Sequence, residues 1–155
     1  MQAAETVKQE KAQIRLSAMG YLARREHSRL ELRTKLVQKN YPVELIESVL
    51  TDLIRENLLS DERFAEAYTR SRTQRGFGPL RIRQELRERG VAEELIEQCA
   101  SDGEPHWMVE MEQVRVKRFG PAKPEDFRDQ AKQMRYLQYR GFSQAQISRV
   151  FRSRD

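Results

Sequence analysis

Cysteine, histidine and long apolar runs are what this sequence has least of. A single cysteine, Cys99, stands among 155 residues. That excludes a disulfide framework and a cysteine-built zinc cluster. His27 and His106 are the two histidines, far apart along the chain, so no zinc site or histidine-dependent triad assembles around them. No apolar stretch approaches the roughly 18 residues that a membrane helix needs. The opening MQAAETVKQEKAQ also lacks the apolar core of a signal peptide. The expectation is a soluble cytoplasmic protein without membrane contact. Nothing reads as a strand; the apolar residues recur instead at three and four.

Charge is what the chain has in quantity. Charged residues make up 34% and apolar residues 38%, with 29 Lys+Arg against 24 Asp+Glu and a net charge of +5. The apolar fraction is low, yet it is spread along the chain at helical spacing, which argues against wholesale disorder. The basic residues are mostly arginine. That bias favours planar, bidentate contacts to carboxylates or phosphates.

A repeat lies beneath the charge. Shifting the chain by 50 residues lays SRLELRTKLVQKNYPVELIESVL, from Ser28, on GPLRIRQELRERGVAEELIEQCA, from Gly78. Arg33 falls on Arg83, Leu36 on Leu86 and Lys39 on Arg89, and Glu44-Leu45-Ile46-Glu47 repeats unchanged as Glu94-Leu95-Ile96-Glu97. A shift of 51 adds a weaker third copy, with Leu137, Arg140, Gly141 and Ile147 on Leu86, Arg89, Gly90 and Ile96.

Punctuation assigns three helices to each copy. Asn40, Gly90 and Gly141 share one register, each followed by a bulky apolar residue, which is the pattern of a left-handed helix ending. Ser28-x-x-Glu31 and Ser143-x-x-Gln146 read as capping boxes, while Pro42 and Gly78-Pro79 open helices. The fold class expected is all-α, an elongated array of three tandem three-helix repeats on the order of 60–70 Å long. Residues 1–10 are expected to be a flexible N-terminus, followed by repeats over 11–56, 57–102 and 103–155. Cys99 shares a register with Val49 and Val150, so it is expected in the core.

Charge alternates with helix number. Residues 24–39 carry a net +4, 44–66 a net −5, 69–91 a net +5, 93–112 a net −7 and 128–154 a net +6. Middle helices are therefore basic, and the third helices of the first two copies are acidic. An acidic third helix would be repelled by phosphates, which excludes operator reading of the helix-turn-helix kind. On the basic helices, Arg83 and Arg87 lie four apart with no acid beside them on that face, and Arg33 matches Arg83. Thr69–Gln84 holds Arg70, Arg72, Arg75, Arg81 and Arg83 without a single acid. A run of this kind meets an anion, either nucleic acid or an acidic protein surface. Arg33, Arg70, Arg72, Arg75, Arg83 and Arg87 are the partner- or nucleic-acid-binding candidates, on charge placement alone.

Catalytic chemistry is not legible. Gly76-Phe77-Gly78 lacks a preceding strand and a following Gly-Lys-Ser/Thr, so it is no phosphate loop. Phe77 reads as a helix-ending residue that packs backwards, or else as a base-stacking aromatic beside the arginine run. The chain is expected to be a non-enzyme, without cofactor or metal, and a monomer.

One segment carries a family resemblance: Asp61-x-x-Phe64-Ala65-x-x-Tyr68, Arg72, then Gly76-x-Gly78-Pro79-x-Arg81-Ile82-Arg83-Gln84-Glu85-Leu86-x-x-Arg89-Gly90. It resembles the central signature of the RecX family. Arg25-x-x-Ser28-x-x-Glu31-Leu32-x-x-Lys35-Leu36 is similar to that family's first repeat. Phe119-Gly120-Pro121 and Tyr139-Arg140-Gly141-Phe142 are similar to its third. The resemblance implies a bacterial negative regulator of the RecA recombinase. Such a protein binds the RecA–DNA filament along its groove or at its end. It inhibits filament extension, strand exchange, ATPase and co-protease activity, and so modulates DNA repair and the SOS response. Two other readings stay open: direct, non-specific binding of single- or double-stranded DNA, and a helical scaffold for other proteins.

Overall fold

The computed structural model describes residues 2–152, and among them every regular element is a helix, with no strand. Among the described residues nine helices follow one another: α1 Gln2–Arg24, α2 Arg29–Gln38, α3 Val43–Arg55, α4 Asp61–Gln74, α5 Pro79–Glu88, α6 Glu93–Ala100, α7 His106–Phe119, α8 Phe127–Arg140 and α9 Gln144–Arg152. Three helices thus fall to each expected repeat.

The helix ends obey the punctuation. Asn40, Gly90 and Gly141 all adopt positive φ, at 66°, 80° and 105°. After α8 the Phe142 amide donates to the Leu137 carbonyl at 3.1 Å and Gly141 to Gln138 at 3.0 Å, a double closure of the last turn. Both capping boxes form. The Ser28 amide donates to Glu31 and the Glu31 amide to the Ser28 hydroxyl, each at 3.1 Å; Ser143 and Gln146 make the same exchange at 2.8 and 3.1 Å. Each such cap is worth about 1 kcal/mol.

α1 begins at Gln2, well ahead of the start expected at residue 11. Residues 2–9 are exposed, so no apolar stripe marks them. Ala, Gln, Glu and Lys are strong helix formers, and they extend a helix already nucleated around the buried Ile14 and Ala18.

The chain forms two compact units, Met1–Ala67 with Arg89–Leu95, and Tyr68–Glu88 with Ile96–Asp155. In the first, α1, α2 and α3 pack on one another around Ile14, Ala18, Leu32, Leu36, Ile46, Val49, Leu50, Leu53 and Leu59. In the second, α7, α8 and α9 pack together, and Ile82, Leu86, Ile96, Trp107, Met111, Leu137, Phe142 and Ile147 are buried. Each large apolar side chain withdrawn from water stabilises by roughly 1.5–3 kcal/mol. Cys99 is only half-buried, whereas Val49 and Val150 in the same register are buried.

Two polar anchors in the second unit escape any periodicity argument. Arg115 is fully buried on α7. It meets Glu112 at 2.8 and 3.1 Å and Gln133 at 3.2 Å, and it reaches the carbonyls of Gly120, Pro121 and Ala122 at 3.3–3.5 Å. One guanidinium therefore fastens the α7–α8 turn, a use of its five-donor fork that lysine cannot copy. The buried Trp107 donates its indole N–H to the Ser101 carbonyl at 2.8 Å, which fixes the entry to α7.

Candidate interaction face

The six arginines selected from sequence divide into two groups. Arg33 on α2 pairs with Glu47 on α3 at 2.6 Å, and Glu47 also pairs with Arg29. Arg83 on α5 pairs with Glu97 on α6 at 2.8 Å and reaches the Ala100 carbonyl at 3.4 Å. The two pairs have the same spacing and occupy the same repeat register. This corrects the expectation that Arg83 faces no acid: its partner lies across the helix-two/helix-three turn, out of reach of an i,i+4 argument. Arg72 on α4 makes a bidentate pair with Glu85 on α5, at 3.0 and 2.9 Å, and both side chains are largely buried. Arg33, Arg72 and Arg83 thus tie helices together.

Arg70, Arg75 and Arg87 are exposed, and Arg87 makes a further interaction of its own. The side chains of Arg70 and Arg75 form no ion pair among the described residues. Arg33 belongs to the first unit and the other five to the second.

Phe77 organises the second unit's basic side chains. Gly76, at φ 86°, ends α4, and the Phe77 amide donates to the Arg72 carbonyl at 3.1 Å. The helix-ending reading of Phe77 is therefore correct. Its ring lies against three guanidiniums, with Arg72 at 3.9 Å, Arg140 at 4.1 Å and Arg81 at 4.4 Å from the centroid. Cations attract the ring quadrupole, so the ring is engaged within the fold. Arg140 also donates to the Gly76 carbonyl at 3.1 Å and to the Arg75 carbonyl. It thereby caps the negative end of α4.

The cage rests on a backbone crossing. The Gly78 amide donates to the Arg140 carbonyl at 2.8 Å and the Leu80 amide to the Gly141 carbonyl at 2.9 Å. A Cβ at Gly78 would lie 2.5 Å from the Gly141 carbonyl carbon, and one at Gly141 would lie 2.4 Å from the Arg81 Cβ. Glycine is required on both sides, because neither neighbour is a flexible side-chain end.

Outward from Phe77 the pattern continues. Arg81 lies 5.6 Å from the ring centroid of the exposed Tyr139. Arg118 stands over Tyr136 at 5.6 Å and over Phe119 at 5.4 Å, and those two rings meet edge-on at 5.4 Å. Arg81 and Arg118 form no ion pair among the described residues. Arg118, Arg140 and the tyrosines were missed from sequence. The signal was present in Tyr136-x-x-Tyr139-Arg140, an i,i+3 aromatic pair ending on a basic residue, but ring–guanidinium contacts need helices that are remote in sequence.

The first unit holds a different polar cluster. His27 is buried, with Nδ1 3.1 Å from the Arg25 carbonyl and Nε2 3.0 Å from Lys35 Nζ. An ammonium can only donate, so Nε2 accepts and Nδ1 carries the proton. Burial holds the imidazole below its ordinary range, and the Arg25 and Lys35 charges add to that against the Arg25 carbonyl. Burial alone would raise Glu31, but the Arg25 guanidinium and the Ser28 amide bring its carboxyl below the usual range. Glu47 is lowered chiefly by its Arg33 hydrogen bond. No three His, Cys, Asp or Glu among the described residues come together as a metal site.

Three family models match in tandem: the first three-helix domain of RecX over residues 15–53, the second over 60–99 and the third over 111–151. The chain belongs to the RecX family. The regulatory protein RecX of Pseudomonas entomophila is 44% identical over 142 residues, 92% of each chain. That of Halorhodospira halophila is 44% identical over 134 residues, 86% of this chain and 83% of its own. The crystal structure of RecX from Lactobacillus salivarius has the same fold, with a TM-score of 0.76 over 94% of this chain and 97% of that one, at 22% identity. RecX proteins are regulators and not enzymes, and this chain is a helical regulatory protein of that family.

Proposed function

We propose that this RecX protein restrains the RecA recombinase by binding the RecA–DNA filament, in its groove or at its end, and inhibiting extension, strand exchange, ATPase and co-protease activity. DNA repair and the SOS response are modulated as a consequence. Family membership supports the regulatory role. The observation that carries the reading to residues is the division among the arginines. Arg70 and Arg75 are exposed and have no internal carboxylate to neutralise them, so they are the cations offered to a partner, with Arg87 exposed on the next helix. Arg72 and Arg83 hold the helices that carry such a face. Several modest contacts along a repeating partner combine by multivalency.

Arg70→Glu with Arg75→Glu is expected to abolish most inhibition of RecA-catalysed strand exchange while far-UV circular dichroism stays unchanged. Full inhibition by that variant would defeat the assignment. Arg83→Glu is a poor probe, because it sets two carboxylates against each other at Glu97.

Direct binding of nucleic acid is the second reading, favoured by the arginine–aromatic cluster on α5, α7 and α8. It expects affinity for DNA without recombinase that falls steeply with salt.

A further inference from the structure

Tyr139 is 73% exposed, unusual company for a guanidinium that forms no ion pair. Scattered surface aromatics are ordinary, and alone this one would mean nothing. Its surroundings distinguish it. Arg81 approaches its ring from α5. One turn earlier on α8, Tyr136 carries Arg118 from α7, with Arg140 at 5.9 Å on the same ring. The series therefore alternates cations and rings across three helices of one unit. Of these arginines, Arg140 is spent on carbonyls, while Arg81 and Arg118 keep their charge unneutralised.

We propose that Tyr139, flanked by Arg81 and by the Tyr136–Arg118 pair, is a stacking site for an unpaired base of a single-stranded nucleic acid. The ring takes the base, and Arg81 and Arg118 take the neighbouring phosphates. Phe77, the alternative stacking aromatic in the sequence, is engaged by three guanidiniums; Tyr139 is mostly exposed. A duplex buries its base faces and offers only phosphates, which would leave the exposed ring without a purpose. An acidic peptide would engage the guanidiniums but has no planar group to stack. The backbone mount is fixed. Gly78 and Gly141 lock the α4–α5 and α8–α9 turns together, so binding has little backbone left to order there. The site rests on the second reading above, direct binding of nucleic acid, and adds to it a residue and a preference for single strands; equal binding of both probes would remove that preference and leave the reading.

The test uses the full chain and fluorescence anisotropy, with labelled oligothymidylate and a blunt duplex of equal length as probes and no recombinase present. The single strand should bind more tightly than the duplex. Tyr139→Ala should weaken single-strand binding about tenfold, within the range for losing one stacked base, and change duplex binding by less than about twofold. Tyr139→Trp, which keeps a stacking face, should retain or tighten single-strand binding. Arg81→Gln should reduce the logarithmic salt slope on the single strand by about 0.7, the loss of one phosphate contact. Equal affinity for the two probes, an unaltered Tyr139→Ala variant, or an equal loss on both probes would overturn the proposal. So would poly-glutamate binding as tightly as the oligonucleotide without dependence on Tyr139, which would assign the guanidiniums to an acidic protein surface.

Discussion

Lys39, Arg89 and Arg140 occupy one register of the repeat and do three different things. Lys39 donates to the Ser17 hydroxyl at 3.1 Å and stands over Tyr21. Arg89 lies 3.7 Å from Glu31, and Arg140 caps α4. Register preserves a charge near the helix end, while the use of that charge is set by what packs beside it. The same holds for His27, a lone histidine with no sequence signal, which proves to be a neutral acceptor for Lys35. Its folded pKa lies below the ordinary value of 6.5, so the unfolded chain takes up a proton before the folded one does. Stability present at neutral pH is therefore lost as pH falls below about 6.5 towards the folded value. Glu31 and Glu47 are depressed from 4.5, so their contribution is lost only at lower pH. The urea midpoint is expected to decline as pH falls below about 6.5, and His27→Gln, which can still accept from Lys35, should flatten that decline. An unchanged slope in the variant would mean that another group titrates there.

At the scale of helices, the fold was legible wherever one helix sufficed to encode it. Asn40, Gly90 and Gly141 announced their endings, and Ser28 and Ser143 announced two beginnings, because each signal concerns backbone groups within a few residues. Interhelical pairing was not legible, although its components were in plain view. The repeat that lays Arg33 on Arg83 also lays Glu47 on Glu97, and two coincident basic–acidic positions in helices joined by a tight turn are a contact. In the third copy the same register holds Met134 and Ser148, so the tie belongs to the first two repeats. Part of the charge striping is thus consumed inside the fold, where the acidic third helix answers the basic second. A double-mutant cycle of Arg83→Ala and Glu97→Ala should give a coupling of about 0.5–1 kcal/mol, the range for partly exposed pairs. The Arg33–Glu47 cycle should give a similar figure, both read from denaturant melts. Coupling near zero at both sites would return these arginines to the list of free cations.

For the molecule as a whole, the net charge of +5 cannot decide the partner, because it adds arginines that are tied internally to arginines that are not. Glu47, Glu85 and Glu97 each neutralise a cation within the fold; Arg70, Arg75, Arg81 and Arg118 form no ion pair among the described residues. If inhibition of recombinase depends on those particular cations, a variant that preserves net charge while removing them must fail. Arg70→Gln and Arg75→Gln combined with Glu5→Gln and Glu62→Gln, both carboxylates exposed at the starts of helices, keep the total at +5. This fourfold variant is expected to lose most inhibition of strand exchange, whereas the two glutamate changes alone, which raise the net charge to +7, should leave it intact. Activity that followed total charge instead would point to diffuse electrostatic attraction, which screens over about 10 Å at moderate salt. The placement of individual arginines would then be irrelevant to regulation, and their burial and pairing would matter for the fold alone.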